Sequence, residues 1–302
     1  MRDGCAARSM HHGEALHGTA SRARRWILFE HPGGWGEDVL SDATLPPRIA
    51  AQLTLLAAST PARVLLVRRP GGTGRRAARD VPTARALLVG VSTPTGGWFE
   101  RFDLTTPEDL FDVDLAGLAG DRSCGGTPVD APFYLVCTNG RHDACCAELG
   151  RPVVDALVPH LGDRLWECSH IGGDRFAGNL VCLPSGVFYG HLDPEVAAAV
   201  VRAHDGGAVD LDRWRGRSSL PFLVQSAEAF ARREFGLTRE DDLRWVASQR
   251  DGDRTDATFV RRDGHRVTVS VRRRLEDDER QLTCRGVPVR APVHELIEIA
   301  VS

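Results

Sequence analysis

Two short segments hold most of the side chains able to do chemistry: CTNGRHDACC at residues 137–146 and CSHIGGDRFAGN at residues 168–179. Cys137, Cys145 and Cys146 lie between a predicted buried strand, Phe133 to Val136, and a predicted helix, Ala147 to Leu161. A helix N-terminus favours thiolate over thiol, because its unpaired N–H groups and dipole stabilise negative charge. Thiolates are what a soft metal centre needs. Cys168 and His170 stand two apart at the end of the next predicted strand, Leu165 to Ser169, and alternation puts them on one face. Asp174 follows across Ile171-Gly172-Gly173, where two glycines let backbone approach a bulky group. Arg175 offers hydrogen-bond donors to a thiolate-rich centre. His142 reads as a loop residue, either solvated or donating from behind the ligands. Cys145 and Cys146 are adjacent and must diverge, so at most one joins a given centre. The pattern points to a redox metal centre, with a thiol–disulfide pair or a structural zinc site as the alternatives.

The elements that would carry these residues recur. Arg25 to Glu30 and Arg63 to Arg68 read as strands around a helix at Pro46 to Ala58, and Ala86 to Ser92 with Gly97 to Leu104 reads as a hairpin before a helix start at Thr106. After a Gly/Pro/Asp-rich stretch, Ala119 to Ala131, the order repeats: strand, CTNGRHDACC loop, helix, strand, Gly-Gly loop, hairpin around Pro184-Ser185-Gly186, and a helix from Asp193 to His204. This is the element order of the thioredoxin fold. The predicted class is α/β (α+β): a disordered leader (1–20), a first thioredoxin-like unit without ligands (21–120), a thioredoxin-like ferredoxin unit (130–205), and a small α+β unit (206–302). In that last unit a helix is expected over Ser218 to Phe235. Strands are expected at Leu243 to Gln249, Ala257 to Arg262 and Arg266 to Arg273, with another over Gln281 to Arg290.

Composition narrows the function classes. A net charge of −3 advertises no attraction to nucleic acid or membrane. The 302 residues contain no apolar run long enough to span a bilayer, and the first twenty lack a secretory signal's apolar core. A cytoplasmic protein is expected. Eight cysteines without a regular disulfide spacing then favour metal or redox chemistry over stapling. Four of them, Cys5, Cys124, Cys182 and Cys284, read as small buried hydrophobes. Arg68, Arg69, Arg75, Arg76 and Arg79 form a basic stretch that reads as a solvated loop.

Four segments together resemble the sucrase/ferredoxin-like family, with its yeast and actinobacterial members: RRWILFEHPGGWGEDVL at 24–40, CTNGRHDACCAELG at 137–150, SHIGGDRFAGNLVCLPSGVFYG at 169–190 and GRSSLPFLVQSAEAF at 216–230. The resemblance implies a thioredoxin-like ferredoxin holding one [2Fe–2S] cluster through two cysteines and a His-x-x-x-His pair. Carried over by position, Cys137, Cys146 and His170 match three ligands, and Asp174 stands where the second histidine is expected. The fourth ligand is then Asp174, Cys168 or Cys145. Asn139, where many relatives carry histidine, falls beside the cluster with His142 and Arg175. Imidazole ligation would raise the potential above that of an all-cysteine ferredoxin and couple electron transfer to pH. The expected role is electron transfer with a redox partner protein, without sugar hydrolysis.

Overall fold

A computed structural model describes residues 4–71 and 85–302. Helix α1 (Cys5–His11) precedes strand β1 (Arg25–Glu30), helix α2 (Pro47–Ser59), strand β2 (Ala62–Arg68) and the hairpin of β3 (Arg85–Thr93) and β4 (Gly96–Leu104). Short elements α3 (Ala116–Ala119) and β5 (Thr127–Pro128) lead to β6 (Phe133–Cys137), α4 (Ala144–Leu161), β7 (Leu165–Cys168), the hairpin of β8 (Leu180–Leu183) and β9 (Val187–Tyr189), and α5 (Pro194–Asp205). Strand β10 (Trp214–Arg217) and α6 (Phe222–Phe235) then precede β11 (Leu243–Asp251), β12 (Arg254–Arg261), β13 (Arg266–Gln281) and β14 (Pro288–Val301).

The α+β class expected from the sequence is observed. Ten strands form one sheet, ordered β10-β9-β8-β6-β7-β2-β1-β3-β4-β5, and β11 to β14 form a second in sequence order. Within the large sheet the order β2-β1-β3-β4 recurs as β7-β6-β8-β9. In each set the first two strands are parallel and the later pairings antiparallel. The apolar runs Trp26–Phe29 and Phe133–Cys137 are buried along their whole length, as strands covered on both faces must be. The two sets are joined: β2 and β7 pair antiparallel through Val67–Cys168 and Arg68–Glu167.

That seam explains the fate of the basic stretch. Arg68 is buried, with its guanidinium 2.8 Å from the Glu167 carboxylate and 4.0 Å from the Trp35 ring centre. Arg69 lies 3.6 Å over the Trp166 ring. Neither is a solvated loop residue, because closing the seam carries both against aromatic faces. Arg75, Arg76 and Arg79 lie outside the described residues.

Two regions differ from the sequence expectation. The leader, expected to be disordered, carries α1, and Cys5, Ala6 and Ser9 on it are buried. Further on, Ala20 exchanges two hydrogen bonds with the buried Gln225 side chain on α6, at 3.1 and 3.0 Å. The last strands also run longer than their apolar patterns, and the expected strand over Gln281 to Arg290 is mostly the turn between β13 and β14. Beyond Arg272, β13 loses β12 and continues with β14 alone as a mostly exposed two-stranded ribbon. Its prolines, Pro288 and Pro292, are tolerated because β14 is the edge strand.

Removing one partner of a buried ion pair strands the other charge, at a cost of about 3–5 kcal/mol. Arg68→Ala and Glu167→Ala are each expected to cost about 3 kcal/mol in urea unfolding, and the double variant far less than their sum. Additive losses would show that the pair does not hold the seam.

Candidate metal centre

The first turn of α4 starts from Asp143, whose carboxylate accepts the Cys145 N–H at 2.9 Å and caps the helix. Cys146, one residue on, faces the interior of the large sheet. Its sulfur, Cys137 Sγ from the end of β6 and a His170 ring nitrogen from the loop after β7 lie within 4.8 Å of one another. Cys137 and Cys146 are essentially sealed from solvent, while the His170 side chain is 20% exposed and forms the outer edge of the group.

Asp174 closes the group from the Gly-Gly loop. Its Oδ1 is 2.9 Å from His170 Nδ1 and accepts the Cys146 thiol at 3.4 Å. The histidine nitrogen is buried, and the carboxylate beside it forms an ion pair with the imidazole. Two sulfurs, an imidazole and a carboxylate gathered at one largely buried point are a donor set for a soft cation, so the residues fit a metal group. The charges support this. Hydrogen bonding from the Cys146 thiol, against burial and with help from His170, drives the Cys137 thiol well below its ordinary range. Burial opposes ionisation of His170, but Asp174 and the Cys137 thiolate outweigh it and raise the imidazole to about 9. Burial likewise opposes the Asp174 carboxylate, and His170 and His142 hold it low.

Other expected residues are placed differently. Cys168 Sγ lies outside both ligand groups around His170. Its backbone is held in mid-sheet, paired with Cys137 on one side and Val67 on the other. Its thiol sits in the apolar core, where burial raises its pKa well above the usual value. Arg175 turns away to Glu14, 2.5 Å off, and lies over the Phe176 ring. Asn139 donates to the Gly36 carbonyl at 3.2 Å, so the first half's HPGGWGED loop packs on the site. His142 does more than the sequence suggested: its ring stacks on His170 with centroids 3.6 Å apart. Its Nδ1 is 3.2 Å from the Glu37 carbonyl, which leaves Nε2 facing Asp174 at 3.7 Å.

Two contributors were missed in the sequence. Arg215, fully buried in β10, donates to the Gly172 carbonyl at 3.0 Å, the Asn179 amide oxygen at 2.7 Å and the Thr19 carbonyl at 2.5 Å. It thereby fixes the loop between His170 and Asp174. Gly173 has φ +79°, and a Cβ there would sit 2.3 Å from the guanidinium, so only glycine fits. The second is a group on the other side of α4, where Cys5, Cys145, Cys284 and Asp143 converge. Pairings spanning 279 and 139 residues leave no trace in local spacing.

Comparison with known proteins bears on both groups. The sucrase/ferredoxin-like family model matches residues 16–216, more than half of the chain, and the chain belongs to that family. A curated relative, altered inheritance of mitochondria protein 32 from Debaryomyces hansenii, is 32% identical over 95 residues. That match covers 28% of this chain and 35% of the relative, well short of the relative's length. No solved structure matches. Among the described residues, no helix is long and apolar enough to cross a membrane.

Arg215→Ala would leave several buried acceptors unpaired, each worth about 1–3 kcal/mol. It is expected to lower the unfolding free energy by about 3 kcal/mol or more in denaturant titration. A loss under about 1 kcal/mol would mean the guanidinium does not hold the loop.

Proposed function

We propose that this member of the sucrase/ferredoxin-like family is an electron-transfer protein whose [2Fe–2S] cluster is held by Cys137, Cys146, His170 and Asp174. The observation that carries the reading is the convergence of the Cys137 and Cys146 sulfurs and a His170 ring nitrogen within 4.8 Å of one another, with the Asp174 carboxylate 2.9 Å from the imidazole. When bound, such a cluster takes up and returns one electron. The chain supplies the rest. Cys137 and Cys146 bring thiolates from β6 and α4 and exclude water. Imidazole and carboxylate come from one loop, whose shape Arg215 fixes. A ligand set with neutral nitrogen carries less negative charge than four thiolates and favours the reduced state. His170 and His142 form the partly exposed edge, at 20% and 30%, and are the natural point of approach for a redox partner protein. All eight cysteines are free, in keeping with a reducing, cytoplasmic setting.

A single ion such as zinc is the second reading. It is favoured by the compactness of the Cys137, Cys146 and His170 atoms, all within 4.8 Å. The two readings separate cleanly. Protein purified without oxygen should be reddish-brown, with iron and acid-labile sulfide in equal amounts and an EPR signal on reduction. Cys137→Ser, Cys146→Ser and His170→Ala should each bleach it, and Asp174→Ala should lose most of its iron. Cys145→Ser and Cys168→Ser should stay coloured. Colourless protein without sulfide, carrying zinc that is lost in Cys137→Ser, would replace the first reading by the second. A colourless Cys168→Ser variant would overturn the ligand set.

A further inference from the structure

We propose that Cys5, Cys145 and Cys284, with Asp143, form a second metal site that takes a zinc ion and clamps both ends of the chain to the first turn of α4. The three sulfurs form a tight group: Cys145 Sγ and Cys284 Sγ are 3.4 Å apart, and Cys284 Sγ and Cys5 Sγ 3.5 Å. Tetrahedral zinc with Zn–S bonds of about 2.3 Å separates its sulfurs by about 3.8 Å, so a small outward relaxation seats the ion. Asp143 is almost wholly buried and lies against the same group, with both oxygens within 3.7 Å of Cys5 Sγ. Its oxygens also accept the N–H groups of Cys145 and Cys284 at 2.9 and 2.7 Å, which aims the carboxylate at the sulfurs. Three thiols and a carboxylate sharing one largely buried point are a soft-cation donor set.

The neighbouring backbone is shaped for the sulfurs. A Cβ on Gly4 would sit 2.6 Å from Cys145 Sγ and 3.8 Å from Cys284 Sγ, so only glycine lets the chain pass over them.

The elements that meet here need an anchor. Helix α1 has seven residues, too few to be stable alone. Cys284 sits in the turn of the β13–β14 ribbon, and a two-stranded ribbon is marginal by itself. Around the sulfurs, Arg8 reaches the Gln281 side chain at 3.2 Å, Arg280 pairs with Glu14 at 3.2 Å, and Arg285 reaches the Arg141 carbonyl at 3.4 Å. On binding, three Zn–S bonds would replace bonds from zinc to water, the thiol protons would leave to solvent, and no electron would move. The ion would tie α1 and the ribbon to the helix that carries Cys146. Cys5 and Cys284 both lie outside residues 16–216, so the segments flanking the family match supply this clamp.

The test is metal analysis of the full chain purified without oxygen, with Cys137→Ser/His170→Ala to disable the first centre and Cys284→Ser to disable the second. One zinc per chain should survive in the first variant and fall at least tenfold in the second. Should Cys284→Ser fail to fold, the metal-stripped Cys137→Ser/His170→Ala protein is titrated with cobalt(II). One equivalent should produce sulfur-to-cobalt charge-transfer and tetrahedral bands and protect three thiols from alkylation. Zinc lost with the first variant and kept in Cys284→Ser would overturn the proposal. So would a cobalt spectrum without sulfur bands, or a Cys145–Cys284 disulfide in place of metal. Loss of the iron–sulfur reading alone leaves this result standing, because the first-centre variant reports the second site by itself.

Discussion

Adjacent residues on an α-helix point about 100° apart, and the first turn of α4 carries two adjacent cysteines. That constraint organises the molecule. Cys146 faces the sheet interior, toward Cys137 and His170, while Cys145 points to a different side, toward Cys5 and Cys284. Asp143 caps the turn between them. A single turn of helix thus supplies one sulfur to each of two separate groups, and everything that positions α4 positions both.

The large sheet provides the first half of that positioning. Two sets of strands with one pairing order meet edge to edge at β2 and β7, so the end of β6 and the loop after β7 open at the same point of a continuous sheet. The buried Arg68–Glu167 pair sits at the seam, and the Thr138 hydroxyl, next to Cys137, donates to Glu167 at 2.7 Å. The loop at 31–38 from the first set reaches Asn139 and His142. The set without ligands is therefore a wall of the site, not a spectator.

Much of the fold and part of the candidate site could be read from residues alone. Apolar runs such as WILF and FYLV mark central strands, and their recurring order implies the repeated pairing. Local patterns at a strand end, a helix start and a Gly-Gly loop drew attention to Cys137, Cys145, Cys146, Cys168 and His170, and only the family resemblance narrowed them to Cys137, Cys146 and His170. What stayed hidden depends on distant chain meeting distant chain. Arg68 reads as solvated until the seam buries it. Cys168 looks like a ligand until its backbone is pinned between β6 and β2. Arg215 lies in a segment with no chemical signature. Cys5 and Cys284 read as bland because each is alone in its own neighbourhood, and only the ribbon and the packed leader bring them together.

The central claim is that Cys145 and Cys146 serve different metal centres. Anomalous diffraction from crystals grown without oxygen, recorded on both sides of the iron and zinc absorption edges, tests it most directly. An iron peak between Cys137, Cys146 and His170, with a separate zinc peak between Cys5, Cys145 and Cys284, is the predicted result. A single peak shared by Cys145 and Cys146, or no anomalous signal at either group, would contradict it.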